Sequence, residues 1–229
     1  MPSTPSDEDT AASNVLLRGR LVDALRSDVI RGRYPAGYRL VERDVAETYG
    51  VSRLPAREAL QALKSEGFLE VRKTRGLVVR EWTERDVVEV FGIRESLEAL
   101  ACREAAENRT DDDIAALRSA ADAADRAVDQ GDPSAAHDAN ALFHQLLVTA
   151  SHNRTLGEIM APILYRVQWL VRQIPDPHAV SHDHHLLVDA IAARDARGAE
   201  KLARDHAERN RTTTLRTLFG DTPRWSRLG

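Results

Sequence analysis

The feature that most constrains the fold of this 229-residue chain is a tight turn between two short helical segments. Residues 42–49 have the pattern of a short helix that ends at Gly50, because glycine is often found where a helix stops. The next helix is predicted from about Pro55 to Ser65, with Ser52 as its N-cap and Pro55 tolerated in its first turn. This order predicts a helix-turn-helix.

The segments on either side complete a larger module. Residues 14–33 have the spacing of an amphipathic helix, with apolar side chains at Leu17, Leu21, Leu25, Val29 and Ile30. After the third helix, two β-type runs at 68–71 and 77–80 flank a basic turn at residues 73–76. Helix, short helix, turn, helix and hairpin is the order of a winged helix-turn-helix domain.

Helical signals dominate the rest of the chain. Charged residues make up 30% of the sequence and aromatic residues only 5%, a balance that favours helices over sheets. Breaks in the pattern predict six further helices, at residues 84–107, 111–130, 133–151, 154–174, 181–194 and 196–218. The predicted fold is therefore mainly α, with an N-terminal winged helix-turn-helix that carries a small β-hairpin and a C-terminal all-α helical bundle. Its predicted parts are a disordered arm (1–13), the winged domain (14–81), an effector-binding and dimerisation domain (82–220) and a tail (221–229).

Composition excludes several classes of protein. The single cysteine, Cys102, can form no internal disulfide and belongs to no CxxC metal pattern, so we expect a cytoplasmic protein with a buried thiol. No stretch approaches the roughly 18 apolar residues that a membrane span requires. The polar residues 1–13 also lack the apolar core of a signal peptide. We therefore expect no membrane partner.

The charge of the chain is distributed unevenly. Residues 15–80 carry 14 Lys and Arg against 8 Asp and Glu, whereas residues 81–229 carry 18 against 25. This asymmetry indicates that only the first domain meets a polyanion, although chance variation in surface charge would give the same pattern. Arg53 and Arg57 are four residues apart and share a face near the start of the third helix, where a reading helix reaches base edges. Either arginine alone could equally be a solvated surface charge.

The segment YPAGYRLVERDVAETYGVSRLPAREALQALKSEGFLEVRKTRGLVV carries a longer resemblance. It is similar to the N-terminal domain of the GntR family of bacterial regulators, whose pattern runs roughly PG-x-x-L, then G-V-S-R-x-P-V-R-E-A-L, then L-x-x-E-G. Here Ala36 separates Pro35 from Gly37, and Ala56 stands where valine is usual. The resemblance implies a double-stranded DNA operator as partner, contacted by Arg43, Arg53, Leu54, Pro55, Arg57, Arg75 and Gly76.

Three of the eight histidines stand in different predicted helices. Asn140 and His144 form an i,i+4 pair on one helix face, His184 lies in the fifth helix of the domain, and His206 lies in the last. A divalent metal such as Zn²⁺, Ni²⁺ or Mn²⁺ needs three or four converging ligands, and three helices of a bundle can supply them. Histidines that only hydrogen-bond within a polar core are the alternative.

The motifs FGIRESLEALACREAA, NALFHQLL and HHLLVDAIAARDARGAEKLARDHAERN carry a second resemblance. Residues 84–218 are similar to the helical ligand-binding domain of the FadR-like branch of the same family, the FCD type. In its metal-binding members an Asp/Asn-x-x-x-His pair joins two later histidines, so the resemblance implies Asn140, His144, His184 and His206 as metal ligands. Aspartate is more usual at the first position, and neutral Asn140 should bind a metal more weakly. Asp138 should point to a different face.

Arg94 is the candidate effector-binding residue. In the resembled branch an arginine at this position faces the cavity, and a guanidinium beside a metal with open positions suits a small carboxylate effector. An i,i+4 salt bridge from Arg94 to Glu98 explains the same arginine equally well.

These observations predict a homodimer that reads two half-sites of an imperfect palindrome and responds to an organic acid. Repression relieved by ligand is the commoner sense in the resembled family. A regulator for which the metal itself is the signal is one alternative. A helical metal hydrolase fused to a DNA anchor is another, but no HExxH or similar acid stands beside these histidines, so we expect no enzyme.

Overall fold

The structure, a computed structural model, describes residues 7–181 and 183–220, with side chains from residue 18 onward except that of residue 180. The chain divides into two compact units, Met1–Glu81 and Trp82–Gly229. Residues 1–6 of the predicted arm and the predicted tail at 221–229 lie outside the described residues.

Three helices build the first unit: α1 (Asp7–Ile30), α2 (Glu42–Tyr49) and α3 (Arg53–Ser65). Helix α1 packs against α3 and buries Leu21, Leu25 and Val29, which recur at helical spacing. Helix α3 buries its own stripe of side chains, Ala56, Ala59, Leu60 and Leu63. This packing anchors α3 along one face.

The turn between α2 and α3 depends on Gly50. Its φ of 65° lies in the left-handed region, which glycine adopts without steric cost. Ser52 occupies the N-cap position in an extended conformation, as predicted, but its side chain makes no capping hydrogen bond. Helix α3 begins at Arg53, directly after this N-cap and two residues before its predicted start near Pro55.

The hairpin consists of β1 (Leu69–Arg72) and β2 (Gly76–Val79), which pair antiparallel with Leu69 opposite Val79. Each strand differs from its predicted range by one residue. The segment before α2 also joins this sheet, because Leu40 N donates to Leu77 O at 3.0 Å and Val79 N donates to Tyr38 O at 2.9 Å. This edge pairing, which was not predicted, ties the segment before α2 to the wing.

The second unit is a helical bundle. Its helices are α4 (Glu84–Asn108), α5 (Asp111–Asp129), α6 (Pro133–Ala150), α7 (Arg154–Val171), α8 (His178–Ser181), α9 (His184–Ala192) and α10 (Ala196–Phe219). Capping boxes at Thr83 and Thr110 start α4 and α5, since each threonine accepts a hydrogen bond from the backbone three residues on. Helix α4 packs against α10, and α5 packs against α6. The predicted fold class, mainly α with an N-terminal winged module and a C-terminal bundle, is confirmed.

Several predicted helix boundaries are wrong. Helix α1 begins at Asp7, so residues 7–13 of the predicted disordered arm are helical. The predicted helix at 181–194 begins only at His184, as α9, and a separate short helix, α8, ends at Ser181. Asp183 lies between them, and its carboxylate is bound by Arg209 of α10.

Two features predicted from composition can also be compared with the structure. Cys102 is fully buried in the second unit, as expected for a small apolar side chain. No helix in the described ranges combines the length and the apolar character needed to cross a membrane.

Candidate functional site

The first turn of α3 presents the predicted reading residues on its outer face. Arg53, Leu54 and Arg57 are exposed, Leu54 to 61%, and Pro55 is half-buried. The opposite face of the helix is buried, as described above. The side chains predicted to contact DNA are therefore carried on a helix whose position is fixed by packing.

Arg57 is held by Glu42, at the start of α2. Its Nε donates to Oε2 at 2.8 Å and its Nη2 donates to Oε1 at 3.2 Å. The hydrogen bond from Arg57 lowers the pKa of Glu42, and the nearby charge of Arg53 adds to the effect. Glu42 thus orients the Arg57 guanidinium, a role that sequence reasoning missed.

Arg43, Arg75 and Gly76 lie on the neighbouring elements. Arg43 is exposed at the start of α2, where it pairs with Asp44, and Arg75 is exposed at the hairpin tip. Gly76 has a φ of 74°, which explains glycine at the base of this turn.

A groove joins the wing to the reading helix. Arg57 and Gly76 both line it, and so does Arg39, which precedes α2. Arg39 was not predicted as a site residue, because its proximity to the wing arises from the edge pairing with β2. The first unit therefore brings Arg39, Arg57 and Gly76 to one surface.

In the second unit, the three predicted histidines converge. His144 comes from α6, His184 is the first residue of α9, and His206 comes from α10. One ligand nitrogen from each ring lies within 4.8 Å of those of the other two, and all three side chains are buried. The His184 ring stacks on Phe143, with 3.8 Å between ring centroids and 9° between planes. We call His144, His184 and His206 the histidine cluster.

Carboxylates face two of the three rings. His144 Nδ1 lies 3.4 Å from Glu98 Oε2, and His206 Nδ1 lies 3.4 Å from Asp183 Oδ2. A carboxylate at Nδ1 favours the tautomer that leaves a lone pair on Nε2, which is how metal-binding histidines are commonly oriented. Asp183 was missed because its approach to His206 depends on how the start of α9 packs on α10.

Arg94 contacts both Glu98 and the histidine cluster. Its Nε donates to Glu98 Oε2 at 2.7 Å, and both side chains of this ion pair are fully buried. Its Nη2 also lies 2.9 Å from His144 Nε2. The salt bridge and the place beside the histidine cluster are therefore compatible.

Several buried polar atoms here lack a hydrogen-bond partner within the described part of the chain. They are Arg94 Nη1, Asn140 Oδ1 and both ring nitrogens of His184. Buried polar atoms are nearly always paired, so a group of unpaired atoms points to a bound ligand. Imidazole nitrogens and an amide oxygen are donors that Zn²⁺, Ni²⁺ and Mn²⁺ accept, and the residues present fit such an ion.

Two hydrogen bonds to ring nitrogens of the histidine cluster would have to break before those nitrogens could coordinate a metal. Arg94 Nη2 approaches His144 Nε2, as noted, and Asn210 Nδ2 lies 3.0 Å from His206 Nε2. Asn210 follows His206 by four residues, the same spacing that singled out Asn140 and His144, so the sequence contained a signal for it.

Burial keeps the histidine cluster neutral. It lowers the pKa of His144 to about 4 and holds the pKa of His184 well below its usual value. Burial also lowers the pKa of His206. Burial alone would raise the pKa of Glu98, but Arg94 and then His144 hold it well below its ordinary value. Near pH 7 the site thus offers neutral imidazoles beside an ionised carboxylate.

The neighbouring titratable residues have other partners. Asp138 pairs with Arg172, away from the cluster. His185, next to His184 in sequence, is half-exposed and faces Asp125. Of the acidic and histidine side chains in the described ranges, His144, His184 and His206 are the group that could hold a metal ion.

Comparison with known proteins agrees with the two-unit organisation. Residues 17–79 match the description "Bacterial regulatory proteins, gntR family", and residues 89–209 match "FCD domain". A probable D-xylose utilization operon transcriptional repressor of Paenarthrobacter nicotinovorans is 31% identical over 80% of this chain and 82% of its own length. McbR of Escherichia coli, an HTH-type transcriptional regulator, is 28% identical over 86% of this chain and 92% of its own length.

Solved structures give the same result. The structure of Escherichia coli McbR/YncC superposes with a TM-score of 0.75 at 27% identity, covering 85% of this chain and 94% of that one. A GntR regulator of Rhodococcus sp. RHA1, at 24% identity, has the same fold with a TM-score of 0.74 and coverage of 86% and 97%. The named relatives are regulators rather than enzymes, and this chain belongs to the GntR family of bacterial transcriptional regulators, with an FCD domain typical of the FadR-like branch.

Proposed function

We propose that this regulator binds a palindromic operator as a homodimer and is controlled by an organic acid held at a metal ion in its FCD domain. The observation that carries the proposal is the convergence of three buried histidines beside the unpaired atoms of Asn140 and Arg94. Repression relieved by the effector is the proposed sense. One relative, from Paenarthrobacter nicotinovorans, is itself described as a probable repressor.

On the DNA side, α3 enters the major groove and the hairpin touches the backbone or the minor groove. The proposed contacts are Arg43, Arg53, Leu54, Pro55, Arg57, Arg75 and Gly76. Their exposure, apart from the half-buried Pro55, supports this assignment. A homodimer follows from the palindrome, since two identical reading helices match two inverted half-sites.

On the effector side, Asn140, His144, His184 and His206 hold the metal. The metal would supply a positive charge and open coordination positions for a carboxylate. Asn140 is a neutral ligand through Oδ1, so it adds less affinity than aspartate would. Because a bacterial transcriptional regulator acts on chromosomal DNA, we expect this protein to work in the cytoplasm.

Arg94 contributes hydrogen bonds to the same carboxylate. One nitrogen of His144 cannot accept from Arg94 and coordinate a metal at once, so coordination through Nε2 would free one N–H of Arg94 Nη2. The other N–H of Nη2 can remain on Glu98 Oε1, 3.3 Å away. Nη1 has no hydrogen-bond partner among the described residues. The guanidinium then offers two donors to an effector while Nε stays bound to Glu98.

The effector acts through linkage. It shifts the spacing or angle of the two reading domains to the extent that it binds one arrangement more tightly, and DNA must change effector affinity by the same factor. Typical couplings correspond to roughly 5- to 150-fold changes in affinity.

The test uses the full-length chain and DNA selected from a random duplex pool. Selected duplexes should contain two inverted half-sites, and light scattering should give the mass of a dimer. Operator affinity is then measured by fluorescence anisotropy after chelation, with Zn²⁺, Ni²⁺ or Mn²⁺ alone, and with metal plus a panel of organic acids. Metal plus one acid should change the affinity at least about fivefold. A switch by metal alone would mean that the metal is the signal.

A further inference from the structure

The charged side chains around the histidine cluster cancel one another. Glu98 pairs with Arg94, and both side chains are fully buried. Asp183, also buried, accepts a hydrogen bond at 3.0 Å from Nε of Arg209, whose side chain is 43% exposed. Two carboxylates and two guanidinium groups give these four residues a formal charge of zero.

The other side chains at the cluster add no charge. A histidine must be neutral to coordinate a metal, and Asn140 has no ionisable group. In the part of the chain that the structure describes, Cys102 is not among the groups that could share an ion with the histidines. The total formal charge does not depend on which groups pair with each other. If Glu98 coordinated the metal, Arg94 would lose its counterion and its positive charge would count in full.

A divalent ion would therefore bring two uncompensated positive charges into a buried, neutral site. Unpaired charge in a protein interior is costly, and the cost falls when an opposite charge is bound beside it. We infer that the effector of this chain is a dianion, of the dicarboxylate class. This inference rests on the proposed function, because it assumes a metal at the histidine cluster and an acid beside it.

The residue at position 140 sets this preference for a dianion over a monoanion. Aspartate, the residue more usual at this position, would cancel one of the two charges and leave room for a monoanion. Asn140 cancels none, although its buried Oδ1 can still approach the ion. Asn140 is thus a specificity-determining residue, and its substitution by aspartate changes the charge with little change in shape.

The experiment measures acid binding by calorimetry on the full-length chain loaded with Zn²⁺ alone. The probes are straight dicarboxylates from malonate to adipate and the half-amide of each, which keeps the shape and removes one charge. In the natural protein, the best dicarboxylate should bind on the order of tenfold more tightly than its half-amide. Asn140→Asp should bring this ratio close to one and tighten Zn²⁺ binding. Asn140→Ala, which keeps the charge and removes the ligand, should weaken Zn²⁺ binding and preserve the ratio.

The possible failures are distinguishable. If Zn²⁺ binds and each half-amide binds as tightly as its diacid, the dianion inference is wrong and the metal-assisted organic-acid site stands. If none of Zn²⁺, Ni²⁺ and Mn²⁺ binds, or if no acid of either kind binds the metal-loaded chain, the proposed function itself fails. Equal ratios in Asn140→Asp and the natural protein would overturn the role of position 140.

Discussion

Replacing Glu98 with glutamine should destabilise the second unit strongly, because it leaves the Arg94 guanidinium charged and without its counterion. The pair is fully buried and its Nε–Oε2 distance is 2.7 Å. Removing one partner of a buried ion pair typically costs about 3–5 kcal/mol. Glutamine keeps one hydrogen-bond acceptor, so the lower end, about 3 kcal/mol, is the expected loss in the free energy of unfolding.

Helix α4 provides a matched control for this substitution. Arg85 and Glu89 have the same i,i+4 spacing and the same 2.7 Å distance as the buried pair, but their side chains are 86% and 56% exposed. Exposed pairs of this kind contribute about 0.5 kcal/mol or less, because water and salt screen them. Glu89→Gln should therefore leave the stability nearly unchanged.

The assay is urea unfolding in the presence of a chelator, which removes any contribution from bound metal. All three tryptophans follow residue 81, so their fluorescence reports on the second unit. With a urea dependence of about 2 kcal/mol per molar, Glu98→Gln should lower the midpoint by about 1.5 M. Equal midpoint shifts for Glu98→Gln and Glu89→Gln would refute the reasoning, since burial is the main difference between the two pairs.

Three further predictions follow from the sites. His184→Ala should abolish Zn²⁺ binding in equilibrium dialysis. His185→Ala, which changes the half-exposed neighbouring residue, should retain Zn²⁺ binding. Equal metal content in the two variants would contradict metal binding by the histidine cluster. Arg57→Ala should weaken binding to the selected operator about 10- to 100-fold with little loss of stability, whereas Arg85→Ala should not, and unchanged affinity for Arg57→Ala would remove Arg57 from the reading surface. In the metal-free protein, the pKa of His144 is lowered from 6.5 to about 4, so between these pH values the unfolded chain binds a proton that the folded chain does not. The free energy of unfolding should therefore fall as the pH drops from about 6.5 to about 4, by roughly 3 kcal/mol from His144 alone, and a flat profile in urea titrations would contradict this.

The elements of the winged domain could be predicted because local signals mark them. Gly50 ends α2, the apolar stripe of α3 repeats at helical spacing, and the basic turn at 73–76 separates two β-type runs. The pairing of residues 38–40 with β2 could not be predicted, because Leu40 and Leu77 meet through backbone hydrogen bonds that leave no pattern in either segment. Arg39 was missed as a site residue for the same reason, and Glu42 was missed because its contact with Arg57 joins the side chains of two different helices.

The histidine cluster shows a different limit of sequence reasoning. The i,i+4 spacing predicts that Asn140 and His144 share a helix face, and it predicts the same for His206 and Asn210. This spacing gives no information on contacts between different helices. Asp183 immediately precedes α9, and it reaches His206 and Arg209 only because the start of α9 packs against α10. The prediction of one continuous helix there concealed this carboxylate.

Arg94 illustrates why the sequence left two interpretations open. Spacing supported a salt bridge to Glu98, and resemblance supported a place beside the ligand site. A guanidinium carries five N–H donors, and here Nε serves the carboxylate while Nη2 reaches His144, so the interpretations were never exclusive. What spacing could not supply is the charge balance: because Glu98 already neutralises Arg94, the arginine can orient an anion through hydrogen bonds without adding net charge. Selectivity for the charge of the effector then depends on the metal and on residue 140, which is why the Asn140→Asp substitution is the sharper test of the effector class.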